Sequence, residues 1–498
     1  MKYIIGIDIG TTHTKSVMMT TDGMVIYECK TGYPTQQPQP GYSEQDPAEI
    51  FSAVTQVIKE TIAQVSTQQD ILCIGISAAM HSLMVVDEKG NALTPIVTWA
   101  DTRANQYAKK LRETDLGSTI YRKSGTPIHP MSPLCKIAWI CDNQPTIFSR
   151  AHKFISAKEF VLFKLLGKFV VDYSIASATG LFDSGRLQWS KEALHYCGIT
   201  EIQLSTPVSP FSRFSITSEN VKHVLGITGE IQITIGGGDG GLANVGSGAL
   251  LPGEAAVTIG TSGAVRVISD HSLALKGTQL FSYLLDEKTF FCGGAINNGG
   301  NVLKWLEGIV GLETLGENNI NALLQKAEGI AAGSEGLVFL PYIHGERAPI
   351  WDAAARGIFI GITSSHRREH FIRAVLEGIC FSLLQVIESI ERNEIPLTLL
   401  YANGGFIESG FWVQMLADIM QKPLSVSHAA DASALGAAFT GMLAMGLIQE
   451  WITVKQFIGK GTIVSPSKNN KAYQRNYSVY KGLYEKLKED FNTLNLPL

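Results

Sequence analysis

The sequence predicts an α/β protein built from two related domains with a cleft between them. Its 498 residues exceed what one ordinary hydrophobic core holds, so at least two domains are expected. Apolar strand patterns alternate with amphipathic helix patterns, which is typical of α/β domains. A strand, a Gly-Thr bend and a second strand occur twice, once near the start of each half. We therefore place one domain at residues 1–246 and the other at residues 247–498.

The first copy of this pattern opens the chain. Tyr3–Ile9 is a β-rich apolar run, Gly10-Thr11-Thr12 is the bend, and Ser16–Met19 is the return strand. Downstream, Asp46-Pro47 begins a pattern with one apolar face, and the strand Ile71–Ser77 follows it. A strand, a helix and another strand in this order predict an α/β first domain.

The second copy lies just after the predicted domain boundary. Ala256–Ile259 is a strand, Gly260-Thr261-Ser262-Gly263 is the bend, and Val265–Ile268 is the return strand. No linker rich in Gly, Ser or Pro separates the halves, so we expect a rigid pair of domains that moves about a hinge. One bend would then face the cleft from each side.

The composition argues against several classes of partner. Lys and Arg number 41 against 45 Asp and Glu, and no block of like charges indicates a nucleic-acid or membrane arm. The seven scattered cysteines form no CxxC pair, which favours a reduced cytoplasmic protein. Asp8 interrupts the first apolar run, so no signal peptide is expected. The uncharged stretch Ala432–Gln449 is interpreted as a packed core helix rather than a membrane span. A homodimer is left open.

The first bend has the groups that a polyphosphate needs. Gly10, Thr11 and Thr12 offer backbone N–H groups and two hydroxyls without bulk, and Lys15 adds charge nearby. Asp8, at the end of the preceding strand, could hold Mg²⁺ together with phosphate oxygens. An ordinary polar hairpin with a buried Asp is the alternative, and the bend alone does not decide between them.

The second bend repeats this chemistry with Gly260 and Thr261, so the two bends could clamp a triphosphate from both sides. No stretch fits GxxxxGK[ST], which excludes a P-loop enzyme. Gly404-Gly405 follows the strand Leu397–Tyr401 and precedes an apolar helix, a position that suits adenosine or an α-phosphate. A plain strand-to-helix turn is the alternative there.

A glycine-rich stretch, Gly236 to Gly241, satisfies GxGxxG around Asp239. A dinucleotide site is disfavoured because only about fifteen residues remain before the next strand, too few for a comfortable crossover helix. We interpret Asp239 as a carboxylate at the end of the strand Ile231–Ile235 that accepts the proton of a substrate hydroxyl, with the glycines clearing space. A turn-capping Asp in a flexible loop is the alternative.

Further segments, taken with both bends, make the chain resemble the FGGY carbohydrate kinase family along nearly its whole length. They are Met131–Ile140 with Asp142-Asn143, Gly357–Ile362, His370-Phe371 with Ala374–Gly378, and Asp431–Ala438. The resemblance implies two duplicated actin-like domains with ATP and Mg²⁺ between them. It also implies transfer of phosphate to a hydroxyl of a sugar or sugar acid.

The same resemblance implies roles for individual residues. Asp239 would be the general base and, with Asp8, a metal contact, while Met80, His81 and Trp99 would line the sugar site. The implied nucleotide contacts are Gly10, Thr11, Thr12, Lys15, Gly260, Thr261, Gly300, Lys304, Gly404, Gly405 and Ser409. Lys304 departs from the family pattern, because some relatives have an uncharged amide at this place. The alternative for His81 is a core histidine whose ring nitrogens are hydrogen-bonded within the protein.

Within the family, the run His344–Trp351 is most similar to gluconate kinases, although xylulose kinases share its Gly-Glu-Arg core. D-gluconate is therefore the expected substrate, with xylulose or another polyol as the alternative. A non-catalytic actin-like nucleotide switch is a more distant alternative. A substrate carboxylate is bound by a cation or by several N–H donors. His81, Arg103 and Arg347 are the candidates in this sequence.

Overall fold

Strands and helices alternate through the computed structural model, which describes residues 1–276, 280–310, 320–427, 431–467 and 471–494. Its strands are β1 (Tyr3–Ile9), β2 (His13–Thr20), β3 (Val25–Gly32), β4 (Glu44–Gln45), β5 (Ile71–Ala78), β6 (Met84–Val86), β7 (Ile96–Val97), β8 (Lys153–Ile155), β9 (Val170–Asp172), β10 (Phe182–Asp183), β11 (Gln188–Trp189), β12 (Thr206–Val208), β13 (Arg213–Ser215), β14 (Gln232–Gly238), β15 (Glu254–Ile259), β16 (Gly263–Ser269), β17 (Phe281–Leu284), β18 (Phe290–Ile296), β19 (Val338–Leu340), β20 (Ile358–Ile360), β21 (Leu399–Asn403), β22 (Leu424–Val426) and β23 (Thr462–Val464). Its α-helices are α1 (Pro47–Ile62), α2 (Asn105–Arg112), α3 (Asp115–Ser124), α4 (Pro133–Asn143), α5 (Pro145–Arg150), α6 (Ala157–Leu166), α7 (Tyr173–Ser177), α8 (Lys191–Cys197), α9 (Glu219–Leu225), α10 (Asp239–Ser247), α11 (Gly300–Val310), α12 (Ile320–Glu328), α13 (Arg368–Glu391), α14 (Gly410–Met420), α15 (Ala432–Ala444) and α16 (Lys471–Leu494).

Two large sheets form the frame, one in each half of the chain. The first has the strand order β13-β14-β5-β1-β2-β3, and the second has the order β17-β18-β16-β15-β21-β22-β23. In the first sheet, β1 pairs antiparallel with β2 and parallel with β5. In the second sheet, β15 pairs antiparallel with β16 and parallel with β21. The equivalent pairing confirms the duplicated α/β fold that the sequence predicts.

The opening elements follow from local sequence signals. β1 ends at Ile9 and β2 begins at His13, which leaves residues 10–12 as the bend. The side chain of Asp46 accepts a hydrogen bond from the backbone N–H of Ala48, and Pro47 occupies the first helical position. Both are favourable helix-start signals, so α1 begins where the sequence predicts. Its apolar side lies buried against the first sheet.

Helices α10 and α15, which come from different halves of the chain, pack against each other at the junction of the two sheets. Their backbones approach so closely that a Cβ on Gly436 would lie 2.0 Å from the carbonyl oxygen of Leu242. The helix α15 also lies across β1 and β5, and its residues Ala434–Met442 are buried. This confirms the interpretation of the stretch as a core helix. The division of the chain at residue 246 stays a prediction.

Among the residues that the structure describes, one helix, α13, is long and apolar enough to cross a membrane by length and composition. Of its most apolar window, 83% is buried inside the protein. Its two charged core residues neutralise each other, since Arg373 Nε donates to Glu377 Oε1 at 2.9 Å. A buried helix with an internal ion pair is a core element of the second half.

Candidate active site

A cleft of about 590 Å³ is lined by residues from both halves of the chain, and both Gly-Thr bends reach it. Most residues that the sequence analysis singled out lie along this cleft. They are Asp8, Gly10, Thr11, Thr12, Lys15, Met80, His81, Trp99, Asp239, Gly260, Thr261, Arg347 and Gly404. The fold therefore brings together groups that are spread over some four hundred positions of the sequence.

The first bend is held from behind by hydrogen bonds to its backbone and to one hydroxyl. The Tyr33 hydroxyl donates to the carbonyl oxygen of Gly10 at 2.6 Å. The indole Nε1 of Trp99 donates to Thr11 Oγ1 at 3.0 Å, which ties the bend to the predicted sugar site. The side chain of Thr12 remains exposed on the cleft side. Thr12 is therefore the hydroxyl of this bend that is best placed to meet a ligand.

The second bend rests on the start of α11. The backbone N–H of Gly300 donates to the carbonyl oxygen of Gly260 at 2.7 Å, and that of Asn301 donates to the carbonyl oxygen of Thr261 at 3.1 Å. The side chain of Thr261 is exposed, as is that of Thr12 in the first bend. The positive end of the α11 dipole thus lies behind a bend that the sequence assigns to phosphate.

Four predicted nucleotide contacts are not among the residues that line the cleft: Gly300, Lys304, Gly405 and Ser409. Lys304 is exposed on α11. Ser409 caps α14, where its hydroxyl accepts from the backbone N–H of Trp412 at 3.3 Å. Their contact with a nucleotide stays a prediction.

Gly404 does line the cleft, at the end of β21. Its φ is +100°, and a Cβ there would lie 2.4 Å from the carbonyl oxygen of Ile259. Only glycine fits both the backbone conformation and the contact. The close approach brings the Gly-Gly turn directly beside the strand that leads into the second bend.

Three carboxylates from different elements line the cleft: Asp8 on β1, Asp239 at the start of α10, and Asp431, which caps α15. Burial, together with the charges of Asp431 and Asp239, raises the pKa of Asp8 to about 8, although Ser77 Oγ donates to it at 2.7 Å. Lys15 Nζ lies 2.6 Å from Asp431 Oδ2 and offsets part of the negative charge. Carboxylates that destabilise one another's charged forms favour a bound cation.

This donor set fits Mg²⁺, which takes oxygen ligands and commonly combines one or two carboxylates with phosphate oxygens and water. Asp8 and Asp239 are the predicted contacts. Among the residues that the structure describes, no group of three His, Cys, Asp or Glu side chains is arranged to hold a metal ion unaided. The ion would therefore depend on the phosphates of a nucleotide for the rest of its ligands.

Asp239 is the first residue of α10, and the glycines before it belong to β14 rather than to a loop. Contrary to the expectation from the sequence, these glycines do not clear space for a substrate. A Cβ on Gly238 would lie 2.7 Å from Cγ of Met80, and one on Gly241 would lie 2.8 Å from the ring of Phe291. They allow close packing, because the strand passes directly beneath cleft residues.

The carboxylate of Asp239 is placed at a helix N-terminus, where Oδ1 accepts from the backbone N–H of Gly240 at 2.7 Å. Burial raises its pKa above the usual value, and the charge of Asp431 adds to this. The guanidinium of Arg266 and the Gly240 N–H act in the opposite direction. Asp239 is thus a carboxylate with increased proton affinity, as a group that must take up a proton requires.

Two fully buried lysines brace the backbone beside these residues. Lys136 Nζ donates to the carbonyl oxygens of His81 at 2.7 Å and Thr98 at 2.8 Å. Lys158 Nζ donates to the carbonyl oxygen of Gly237 at 3.0 Å, two residues before Asp239. No local signal predicts either contact, since the partners lie between 38 and 79 residues away.

His81 is neutral, which corrects its candidacy as a cation for a substrate carboxylate. Its Nδ1 lies 2.8 Å from the carbonyl oxygen of Ala178, so Nδ1 carries the proton and donates it. Burial lowers the pKa of His81 to about 3. The other ring nitrogen, Nε2, lies 3.5 Å from the hydroxyl of Tyr283. His81 lines the cleft as a neutral hydrogen-bonding group.

Arg103 is also corrected, because it lies outside the cleft lining and is already paired. Its guanidinium contacts Glu44 Oε1 at 2.5 Å and Asp101 Oδ2 at 2.7 Å. It also lies 3.7 Å from the ring centre of Tyr42. Arg103 therefore stabilises the surrounding loops and offers no free charge to a ligand.

Arg347 is the remaining candidate, and it lies buried in the cleft. Its guanidinium lies 4.7 Å from the ring centre of Trp99, and Nη2 donates to the carbonyl oxygen of Ile296 at 3.0 Å. Its Nε is buried without a hydrogen-bond partner in the described parts of the chain. Burial lowers the pKa of Arg347 to about 10, so the group stays charged at neutral pH.

Arg266 is a cleft residue that the sequence analysis missed. It lies on β16, where Nη2 donates to Thr258 Oγ1 at 2.8 Å and Nε donates to Asn244 Oδ1 at 3.2 Å. A signal was present, because Arg266 interrupts the apolar run Val265–Ile268 that predicts the strand. A charged residue inside a buried strand is rare without a partner or a function.

A cleft between two related α/β halves, with a Gly-Thr bend and carboxylates facing it, defines a nucleotide-dependent phosphotransferase with actin-like domains. Two family models match the chain: "FGGY family of carbohydrate kinases, N-terminal domain" over residues 3–246 and the corresponding C-terminal domain over residues 255–445. The chain belongs to the FGGY family of carbohydrate kinases. It is an ATP-dependent kinase that acts on a sugar substrate.

Named relatives and solved structures agree with this assignment. A gluconokinase from Bacillus subtilis (strain 168) is 39% identical over 503 residues, covering 99% of this chain and 97% of the relative. A xylulose kinase from Lactobacillus acidophilus superposes with a TM-score of 0.93 at 34% identity, covering 99% of this chain and 100% of the other. A gluconate kinase from the same species gives a TM-score of 0.91, with the same identity and coverage. The fold is thus shared between kinases named for two different sugars.

Proposed function

We propose that this enzyme transfers the γ-phosphoryl group of ATP to the 6-hydroxyl of D-gluconate, with Asp239 as the general base. The observation that carries the substrate assignment is the buried guanidinium of Arg347 in the cleft, whose Nε has no hydrogen-bond partner among the described residues. The 39% identity to a gluconokinase supports the same substrate. Xylulose or another polyol is the alternative, because the fold is equally similar to a xylulose kinase.

In the proposed reaction, the oxygen of the 6-hydroxyl attacks the γ-phosphorus in line, and the bond from that phosphorus to the oxygen of the leaving ADP breaks. Asp239 accepts the hydroxyl proton. The proton affinity of Asp239, increased by burial and by Asp431, suits this step. Arg266 and the N–H of Gly240 act in the opposite direction and favour the ionised form that accepts the proton.

The two bends would bind the phosphates through their backbone N–H groups and through the exposed hydroxyls of Thr12 and Thr261. Mg²⁺ held near Asp8 and Asp239 would neutralise phosphate charge. Closure of the two halves would exclude water, which could otherwise accept the phosphoryl group. Each of these roles uses a group that already lines the cleft.

The carboxylate of gluconate would be bound by Arg347. The Trp99 ring packs on one face of the guanidinium, and Tyr283 and His81 line the same part of the cleft. A fixed, desolvated guanidinium forms strong charge-assisted hydrogen bonds with a carboxylate. Because His81 is neutral and Arg103 is paired elsewhere, Arg347 is the cation among the three candidates that meets this need.

We further propose that the enzyme works in the cytoplasm on small molecules alone, without nucleic acid or membrane. All seven cysteines are free thiols, and five of them are buried. A thiol-rich interior without disulfides suits a reducing compartment.

The test is ADP release with gluconate, xylulose, glycerol, ribulose and fuculose, compared by kcat/KM. Gluconate should give the highest value. Arg347→Gln should raise KM for gluconate by about tenfold or more and affect a neutral polyol less. Arg103→Gln is the matched control, because it removes a cation outside the cleft. Higher kcat/KM with xylulose than with gluconate would make the substrate assignment wrong and leave the kinase class intact.

A further inference from the structure

Arg266 is a second buried guanidinium of the cleft. Its side-chain hydrogen bonds go to uncharged groups, Thr258 Oγ1 and Asn244 Oδ1. Within the part of the chain that the structure describes, no carboxylate forms an ion pair with it. Burying an unpaired cation costs several kcal/mol, as an order of magnitude. A cost of that kind is usually offset by an anion that binds when the protein works.

The position of Arg266 identifies which anion this would be. Its side chain passes beside the residue that follows Asp239, since a Cβ on Gly240 would lie 3.6 Å from Arg266 Cδ. Its partner Thr258 lies two residues before Gly260, the first residue of the second bend. Arg266 thus lies between the proposed general base and the second bend, where the transferred group must pass.

The two anions that the reaction brings to the cleft are at different places. The phosphoryl group meets the 6-hydroxyl next to Asp239, whereas the carboxylate of gluconate is at the opposite end of the sugar chain. Arg266 Nε donates to Asn244 Oδ1 on α10, the helix that Asp239 begins. The guanidinium of Arg347 lies 4.7 Å from the ring centre of Trp99, a residue of the predicted sugar site. Arg266 is therefore on the phosphoryl side and Arg347 on the sugar side.

We propose that Arg266 is a catalytic residue that donates hydrogen bonds to oxygens of the phosphoryl group during its transfer. The inference rests on the proposed kinase mechanism with Asp239 as base. While the sugar oxygen bonds to the γ-phosphorus and ADP leaves, charge spreads over the equatorial phosphoryl oxygens. A preorganised guanidinium at the floor of the cleft stabilises that charge without having to be reoriented.

The experiment compares Arg266→Gln with Arg266→Lys in three reactions: gluconate phosphorylation, phosphorylation of a neutral polyol, and slow ATP hydrolysis without sugar. Arg266→Gln should lower kcat about 10²-fold in all three, as loss of a transition-state donor does. Arg266→Lys should recover about tenfold in kcat relative to Arg266→Gln, because lysine restores the positive charge but not the planar set of N–H donors of a guanidinium. Binding of ADP should change little, but binding of ADP with Mg²⁺ and aluminium fluoride, a mimic of the transferring phosphate, should weaken strongly in Arg266→Gln.

Two results would overturn the proposal. A loss confined to KM for gluconate, with unchanged ATP hydrolysis, would show that Arg266 binds the substrate carboxylate. Asn244→Ala removes one hydrogen bond to Arg266 and keeps the charge of Arg266. A loss of kcat in Asn244→Ala as large as that in Arg266→Gln would show that Arg266 only supports α10. If Arg266→Gln does not fold, Arg266→Lys decides by its hydrolysis rate and its aluminium fluoride affinity. The hydrolysis and analogue measurements do not use gluconate, so they hold even if the sugar assignment fails.

Discussion

The two Gly-Thr bends lie at equivalent places in the two sheets and differ in charge. In the first hairpin, Asp8 lies two residues before the bend and faces Lys15 across the strand pair. In the second, the same places hold Thr258 and Ala264, which are uncharged. The cation of the second side is Arg266, which reaches Thr258 from further along its strand.

The difference shows that duplication of the fold supplied two bends at equivalent places but not two equal chemistries. The first side gathers carboxylates whose charged forms are destabilised by burial and by one another, as in the raised pKa of Asp8. That side attracts a cation. The second side holds a buried guanidinium beside a helix N-terminus and attracts an anion. A phosphoryl group with its metal ion is held best by sides that differ in this way.

The largest expected effect is at Asp239, which lies between the two sides. Asp239→Asn should lower kcat by about 10²-fold or more and leave ATP binding nearly unchanged, because the amide keeps the shape and cannot accept the proton. Steady-state kinetics and ATP titration measure the two quantities. A wild-type kcat would remove Asp239 from the mechanism.

The next effect should separate the two sides directly. Asp8→Asn should lower kcat by about tenfold or more and raise the Mg²⁺ concentration needed for half-maximal rate, because Mg²⁺ loses a charged carboxylate ligand. Thr258→Val, at the equivalent place of the second side, should leave the Mg²⁺ dependence unchanged. Rates measured across a Mg²⁺ titration test both. Equal Mg²⁺ dependence in the two variants would contradict a metal-binding first side.

The equivalent places of the two bends and the exposure of both threonines predict a more symmetric response at Thr12 and Thr261. Thr12→Ala and Thr261→Ala should each lower kcat by about tenfold and weaken ADP binding less, because the hydroxyls act on charge that develops during transfer. Kinetics and ADP titration of both single variants and the double variant measure this. Unchanged kcat and unchanged ADP and ATP affinities in the double variant would rule out the clamp.

Much of this site could be predicted because its signals are local. The two bends and Asp239 each follow directly after an apolar strand, Asp8 lies near the end of one, and the start of α1 carries its own capping residue. The state of His81 could not be predicted, because its hydrogen-bond partner Ala178 lies 97 residues away.

The glycines before Asp239 show the same limit. The motif Gly236 to Gly241 has the composition of a loop, yet Gly237 and Gly238 pair with β5 and extend the strand. Pairing between distant strands overrides local composition here. The position of Arg266 opposite α10 was likewise set by tertiary packing, although its charge in an apolar run was visible in the sequence.

The smallest expected effect concerns Lys15, the cation of the acidic side. Its ion pair with Asp431 has a length of 2.6 Å, almost the same as the 2.7 Å of the pair between Lys158 and Asp172. The lysine side chain is 39% exposed in the first pair and 0% exposed in the second. Solvent therefore screens the attraction between Lys15 and Asp431, whereas the attraction between Lys158 and Asp172 is not screened.

A double-mutant cycle of Lys15→Met with Asp431→Asn should give a coupling below about 1 kcal/mol in the free energy of unfolding, measured by urea denaturation. Lys158→Met, the matched control, leaves Asp172 charged and buried beside Gly237, so it should cost about 3–5 kcal/mol. Lys15→Met should also weaken ATP binding more than Asp431→Asn does, because the lysine faces the predicted phosphates with its exposed side. A coupling as large as the cost of Lys158→Met would mean that Lys15 serves to hold α15 against the first sheet, and its assignment to ATP would lose its support.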